Sequence, residues 1–233
     1  MDPTVFARTG DLEERAFRLL AEHLTAAHAG PHAVMLTGGR TPRGLYGRVA
    51  RSALRAAPSA HVLVSDERHV PLDSSESNYG MMRPMVASLG IDEARVMRVH
   101  TELPLEAAAD RYHAELAAFI ERGGRITLGL LGLGADGHVA SLFEPADIAR
   151  GQGRCAIAVP RTAGPDRISV TADLLARIEH LVFLVAGEDK AKIVARITQE
   201  PETVVAAQAV GRAARVEIWY APGQTADRGS GSS

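Results

Sequence analysis

One cysteine, Cys155, occurs in the 233 residues of the chain. A disulfide framework within the chain is therefore impossible, which fits a reducing compartment. The neighbours of that thiol in GRCAIAVP are apolar, so it is expected to be buried and structural rather than nucleophilic. Aromatic residues are also scarce, at 4%. The core must then be built mainly from Ala, Val and Leu. Neither charge sign dominates: 26 Lys and Arg against 28 Asp and Glu leave a formal net charge of −2. Without a basic excess nothing points to nucleic acid, and without an acidic block nothing reads as a tail. No run approaches the roughly 18 to 20 apolar residues of a membrane span. The start, MDPTVFARTGDLEERAF, carries acids early and no apolar signal core. A cytoplasmic protein is expected. No histidine pair at zinc spacing and no cysteine cluster occurs, so neither a metal nor another cofactor is expected. The GxSxG elbow of serine hydrolases is missing too, so any hydrolysis must use activated water.

Against these gaps stands a hydrophobic fraction of 46%, enough for a substantial core. Two periods alternate along it. Residues 11–28 place Leu12, Ala16, Leu19, Leu20 and Leu24 at helical spacing, and PLEAAADRYHAELAAFIERGG predicts a second long helix. HAVML, HVLV, RITLGLL, LVFLVAG and AARVEIWYA are short apolar runs that read as buried strands, and CAIAVP and RISVTA as two more. TPRGLYGRVARSAL predicts a helix capped by Thr41 with Pro42 at its first position. SNYGMMRPMVASLG predicts a helix interrupted at Pro84, and ADLLARIEH and EDKAKIVARITQE predict two more helices. Apolar strands alternating with helices indicate an α/β fold: a Rossmann-like, mostly parallel sheet with helices on both faces, in three layers. Residues 1–224 are expected to form a single domain, and 225–233, which end in GSGSS, a disordered tail.

In such sheets ligands bind at the carboxyl ends of the strands. Four polar clusters, TGGRTP, SDERHVP, GADGH and GEDK, each directly follow a predicted strand, and a parallel sheet gathers them at one edge. Gly38 and Gly39 expose backbone N–H groups at a helix start, a natural seat for phosphate. Thr37 and Thr41 add hydroxyls, and Arg40 adds charge. In SDERHVP, Asp66 and Arg68 begin at the sheet edge. His138 is the side chain suited to acid–base work near neutral pH. Asp136 lies two residues away on a tight glycine turn, and Gly134 and Gly137 can present N–H groups to an oxyanion. Lys190 falls in the first turn of a helix, where a cation opposes the dipole unless an anion binds beside it. His23, His28, His100, His113 and His180 read as surface or helix-end residues.

Taken in order, LTGGRTPRGLY, SDERHVPLDSSESNYGMM, LLGLGADGHVASLF, RISVT and FLVAGEDKA resemble the motifs of the glucosamine-6-phosphate isomerase/6-phosphogluconolactonase family over about residues 5–220. The DER triplet with Arg68, and Ala140 to Phe143 after the DGH turn, resemble its lactonase branch. Ser65, and Ser169 with Val170, depart from that branch's usual residues. The resemblance implies a Rossmann-like fold and hydrolysis of 6-phospho-D-glucono-1,5-lactone to 6-phospho-D-gluconate, in the oxidative pentose phosphate pathway. It implies that His138 activates water, oriented by Asp136 or Asp66. Amides of the Gly132–Gly137 turn, or of the first glycine turn, would stabilise the oxyanion. The phosphate would sit among Arg68, Arg167, Lys190 and the Gly38–Gly39 amides. A sugar-phosphate isomerase or deaminase that uses Asp66 as proton shuttle remains an alternative, as does a non-catalytic sugar-phosphate-binding protein. The expected partner is the small-molecule lactone alone, bound by a monomer or weak homodimer.

Overall fold

The computed structural model describes residues 2–223, so the expected tail at 225–233 lies outside the described residues. The chain opens with β1 (Thr4–Val5), α1 (Thr9–Thr25), β2 (His32–Leu36), α2 (Arg40–Ala50) and β3 (Ala60–Val64). Next come β4 (Asp66–Arg68), α3 (Asn78–Ser88), β5 (Val96–Met97), α4 (Leu105–Glu121) and β6 (Arg125–Leu131). Then follow α5 (Pro145–Arg150), β7 (Ala156–Val159), β8 (Arg167–Val170), α6 (Ala172–Leu175) and β9 (Leu181–Ala186). The last elements are α7 (Ala191–Gln199), α8 (Val205–Val210) and β10 (Val216–Ala221).

Seven strands form one sheet in the order β1-β10-β9-β6-β2-β3-β5, and every pairing in it is parallel. All five residues of β2 are buried, as parallel strands covered by helices on both faces must be. From β2 the chain moves outward through α2 to β3, whereas β6 leads to β9 on its other side. The strand order thus reverses between β6 and β2, where α/β sheets open a ligand crevice.

The expected mostly parallel sheet is joined by a second one. β4, β8 and β7 form a small antiparallel sheet, with Asp66 opposite Ser169 and Arg68 opposite Arg167. The DER triplet is therefore strand rather than loop, held by pairing with β8 and not by any apolar period of its own.

Two helix expectations are corrected. Thr41 does not cap α2. That helix already starts at Arg40, with Gly39 as its N-cap at φ 109° and ψ 178°. Only glycine takes that conformation without strain, so the chain turns into the helix two residues early. Pro42 is accommodated because N–H groups of the first turn have no intrahelical partner. Nor is α3 interrupted: Pro84 lies inside a continuous helix whose N-terminus is held by Ser77, which accepts from the Gly80 N–H at 2.9 Å.

The few aromatics brace strand ends. Tyr46 of α2 donates to the Thr37 carbonyl at 2.9 Å and accepts from the Thr37 N–H at 3.1 Å. Tyr112 of α4 does the same for Val64, at 2.5 and 3.1 Å. Burial raises both phenols well above their ordinary range. Each tyrosine satisfies the last backbone groups of a strand where its polar cluster begins. Cys155 is half-buried rather than buried. His180 is buried, not on the surface, and bonds Glu217 through Nε2 at 2.9 Å.

Candidate active site

All four polar clusters meet in one cleft of about 550 Å³ at the carboxyl ends of β9, β6, β2 and β3, which are neighbours in the sheet. Gly38, Gly39, Arg40, Thr41, Asp66, Arg68, His138 and Lys190 all line it. Asp136 lies behind His138, and Arg167 lies outside the lining.

One wall is the start of α2. The helix has no side-chain cap and no acid in its first turn. Within the described residues, neither the Gly38 nor the Gly39 N–H has a hydrogen-bond partner. Unpaired amides at a positive helix end favour an anion. Lys190 approaches from the turn after β9, where its ammonium donates to the Leu133 carbonyl at 2.7 Å. Two further N–H donors of that ammonium are left for a ligand. Arg40 and Asp189 form only an exposed rim pair at 3.9 Å, which contributes little.

The small sheet supplies the next wall. Arg68 and Arg167 are directly opposite in the β4–β8 ladder, an unfavourable placement for like charges. Burial, reinforced by the neighbouring Arg68, lowers the Arg167 pKa. Neither arginine has a carboxylate partner among the described residues. Arg68 donates to the Glu76 carbonyl at 2.8 Å and Arg167 to that of Pro165. Arg167 thus adds positive field behind Arg68 instead of lining the cleft.

His138 stands on the loop after β6. Its Nδ1 is 2.6 Å from Asp136 Oδ1, which also accepts the His138 backbone N–H at 3.2 Å. Burial opposes the Asp136 charge, but the charge and hydrogen bonds of His138 prevail and hold the carboxyl below its ordinary range. Gly134 permits the approach, for a Cβ there would lie 2.2 Å from His138 Nδ1. With Nδ1 engaged, Nε2 is the ring nitrogen left for a water.

The same turn withdraws two of the amides expected at an oxyanion. The Gly134 N–H bonds the His138 carbonyl at 3.0 Å, and the Gly137 N–H bonds the Gly134 carbonyl at 3.0 Å. Both amides serve to close the turn.

Asp66 makes no hydrogen bond to His138. Its two oxygens accept from Ser65 and Ser141 hydroxyls, both at 2.7 Å. The Ser141 N–H in turn donates to Ser169 Oγ at 3.1 Å. These groups are almost wholly buried, so the network fixes the loop that carries His138 against the small sheet. Between the two residues, Ala140 takes a positive φ of 50°, a strained conformation for a residue with a Cβ.

Among the described residues, no group of three or more His, Cys, Asp or Glu is arranged to hold a metal ion, and no helix is long and apolar enough to cross a membrane.

Comparison with known proteins gives the family. Residues 7–219 match the sequence model of the glucosamine-6-phosphate isomerases/6-phosphogluconolactonase family. The chain belongs to this family. The 6-phosphogluconolactonase of Synechocystis is 39% identical over 187 residues, covering 77% of each chain. The human 6-phosphogluconolactonase is 30% identical over 214 residues, covering 85% of this chain and 82% of the relative. The crystal structure of the Thermotoga maritima 6-phosphogluconolactonase superposes with a TM-score of 0.77 at 25% identity, covering 95% of this chain and 99% of that one.

Among the lining residues that the sequence alone did not single out is a polar one at the head of a helix. Asn78, the first residue of α3, donates to the Asp66 carbonyl at 2.8 Å and packs on Gly38, where a Cβ would lie 2.0 Å from its Oδ1. Its neighbour Glu67 is buried and accepts the N–H groups of Arg68, Asn78 and Tyr79 at 2.7 to 2.8 Å. The readable signal was the capping serine before Asn78, which places that residue at the head of a helix beside the strand ends.

Proposed function

We propose that the protein hydrolyses 6-phospho-D-glucono-1,5-lactone to 6-phospho-D-gluconate, the lactone-opening step of the oxidative pentose phosphate pathway. The observation that carries this reading is the His138–Asp136 pair at 2.6 Å on the wall of the cleft that also holds the uncapped start of α2. Relatives that cover most of the chain and are named 6-phosphogluconolactonase support it.

In this reading the phosphate, at about −1.5 to −2 charges near neutral pH, takes the Gly38 and Gly39 amides, Lys190 and Arg68. Arg40 and Thr41 frame the entrance, and Arg167 adds field from behind. His138 Nε2 accepts a proton from a water as its oxygen adds to the lactone carbonyl. Asp136 on Nδ1 fixes the tautomer and stabilises the imidazolium. When the ring C–O bond breaks, the imidazolium returns the proton to the departing oxygen. One water is consumed, and His138 ends neutral. Asp66 acts by holding Ser141, and with it the histidine loop. That placement tells against the isomerase alternative, because the carboxylate needed there as a proton shuttle is engaged by two hydroxyls.

The test is a coupled assay in which glucose-6-phosphate dehydrogenase makes fresh lactone, with spontaneous hydrolysis subtracted. The native protein accelerates 6-phosphogluconate formation. His138→Asn lowers kcat by roughly 10²- to 10⁴-fold with little change in KM, the usual contribution of a positioned acid–base group, and Asp136→Asn gives a smaller loss. Lactone binding without turnover by the native protein would identify a non-catalytic binder. Ammonia release from glucosamine-6-phosphate would identify a deaminase.

A further inference from the structure

The Asp136 bond restrains His138 at a single atom, Nδ1, and one hydrogen bond does not fix the plane of a ring. A second contact does so from outside the cleft lining. The Phe143 ring lies 4.7 Å from the His138 ring, centroid to centroid, at an interplanar angle of 45°. Arg161 in turn lays its guanidinium over Phe143, with Cζ 3.7 Å from the ring centroid. Nothing in the reading above uses either residue.

Both are held where they stand. Val139 and Leu142 pair across a tight turn, with Leu142 N–H to Val139 carbonyl at 2.9 Å, so the chain returns towards His138 within five residues. The Phe143 N–H donates to Asp147 Oδ2 at 2.8 Å, and Asp147 is itself buried and paired with Arg150 at 2.5 Å. Arg161 belongs to the hairpin between β7 and β8, where its N–H donates to Asp166 Oδ1 at 2.8 Å. Among the described residues its guanidinium has no carboxylate partner, although the side chain is exposed. A long, solvated cation that rests on an aromatic face is held there by the ring itself. The hairpin leads into β8, whose Ser169 receives the Ser141 N–H. The small sheet therefore grips the histidine loop on its inner side through Asp66 and Ser169, and on its outer side through Arg161.

We propose that Phe143 and Arg161 are positioning residues for His138: the Arg161–Phe143 stack sets the plane of the imidazole while Asp136 sets its tautomer. The kinetic part rests on the reading of His138 as general base; the geometric part does not. Misplacing a catalytic group by about an ångström costs on the order of 10²-fold. Loss of the ring is therefore expected to lower kcat by roughly 10- to 100-fold and to leave KM near native, because neither residue lines the phosphate cradle.

Three variants test it: Phe143→Leu, Phe143→Tyr and Arg161→Met. The His138 ring resonances, assigned by their loss in His138→Asn, report ring geometry without substrate. In Arg161→Met, which leaves the Phe143 ring and its ring current in place, they are expected to shift, and in Arg161→Met and Phe143→Leu alike kcat is expected to fall with KM retained. Phe143→Tyr keeps an aromatic face and is expected to restore both. Arg161 is exposed, so Arg161→Met remains informative if Phe143→Leu does not fold. Unmoved His138 resonances in Arg161→Met would overturn the proposal, as would native kcat in Arg161→Met and in any folded Phe143→Leu while His138→Asn is inactive. Shifted resonances in Arg161→Met together with full activity in every variant, His138→Asn included, would uphold the stack as a clamp on the ring and refute His138 as the base.

Discussion

Gly134 decides whether His138 and Asp136 can meet. A Cβ at this position would lie 2.2 Å from His138 Nδ1 and 2.4 Å from Asp136 Oδ1, closer than any real contact allows. Gly134→Ala is therefore expected to part the pair while the rest of the fold persists, since only that side of the turn is crowded. Its kcat should fall about as far as in Asp136→Asn, less than the roughly 10²- to 10⁴-fold of His138→Asn, with KM little changed; steady-state kinetics beside a circular dichroism spectrum checks it. Native turnover in a folded Gly134→Ala protein would mean that the Asp136 contact is dispensable. His138 and Asp136 were both readable in the sequence because a histidine on a glycine turn after an apolar strand has few purely structural explanations. Which acid orients it was not readable. Asp66 and Asp136 follow β3 and β6, the strands that flank β2, and only packing shows that Asp66 is taken by two serines.

At the scale of elements, the start of α2 is the proposed anion cradle, and Gly39 sets its backbone. At φ 109° and ψ 178° an alanine has room, with nothing nearer than Pro42 Cδ at 4.0 Å, so the cost of Gly39→Ala lies in the backbone alone. Such strain is on the order of 1 to 3 kcal/mol, and the chain relieves it by turning the Gly38–Gly39 amides away from the cleft. The expected outcome is a raised KM and weaker inhibition by inorganic phosphate, with kcat changed less; unchanged phosphate inhibition in the folded variant would remove these amides from the cradle. The elements that carry the cleft, β2, β3, β6 and β9, were legible because a strand buried on both faces must be continuously apolar. α1 and α4 were legible from their 3.6-residue period. The short elements were not. β4 is three charged residues that become a strand only through β8, and α5 and α8, six residues each, are too short to show a period. The start of α2 was misplaced because a Thr-Pro pair is a good helix signal, and a glycine with positive φ just before it overrides that signal.

Across the whole molecule, the sheet has a second polar edge opposite the cleft. His32 begins β2, His180 precedes β9, and His23 lies in the last turn of α1. His32 Nε2 bonds the His23 carbonyl at 3.0 Å, His23 Nδ1 bonds Thr127 Oγ1 at 3.0 Å, and the His28 and His32 rings are 4.1 Å apart. Burial, with neighbouring positive charge as a further cause, lowers the pKa of His23, His32 and His180 below the ordinary 6.5. The unfolded chain then binds protons more readily than the folded one. Stability from these three is fully present above pH 6.5 and is lost as pH falls below it through the depressed values. Glu67 and Glu115 act in the opposite sense, since burial raises their pKa above 4.5, but they are two groups against these three and His113, whose pKa burial also lowers. The urea midpoint is therefore expected to be lower at pH 5.5 than at pH 7.5, values on the order of one unit either side of the ordinary histidine pKa. His180→Gln, which keeps a donor for Glu217 but cannot charge, should flatten that dependence. An equal slope in the variant would show that His180 does not contribute. The comparison also separates two causes of acid inactivation. Activity lost in step with unfolding, and recovered in part by His180→Gln, arises at the histidine edge. Activity lost while the protein is still folded, and lost equally in His180→Gln, arises away from that edge.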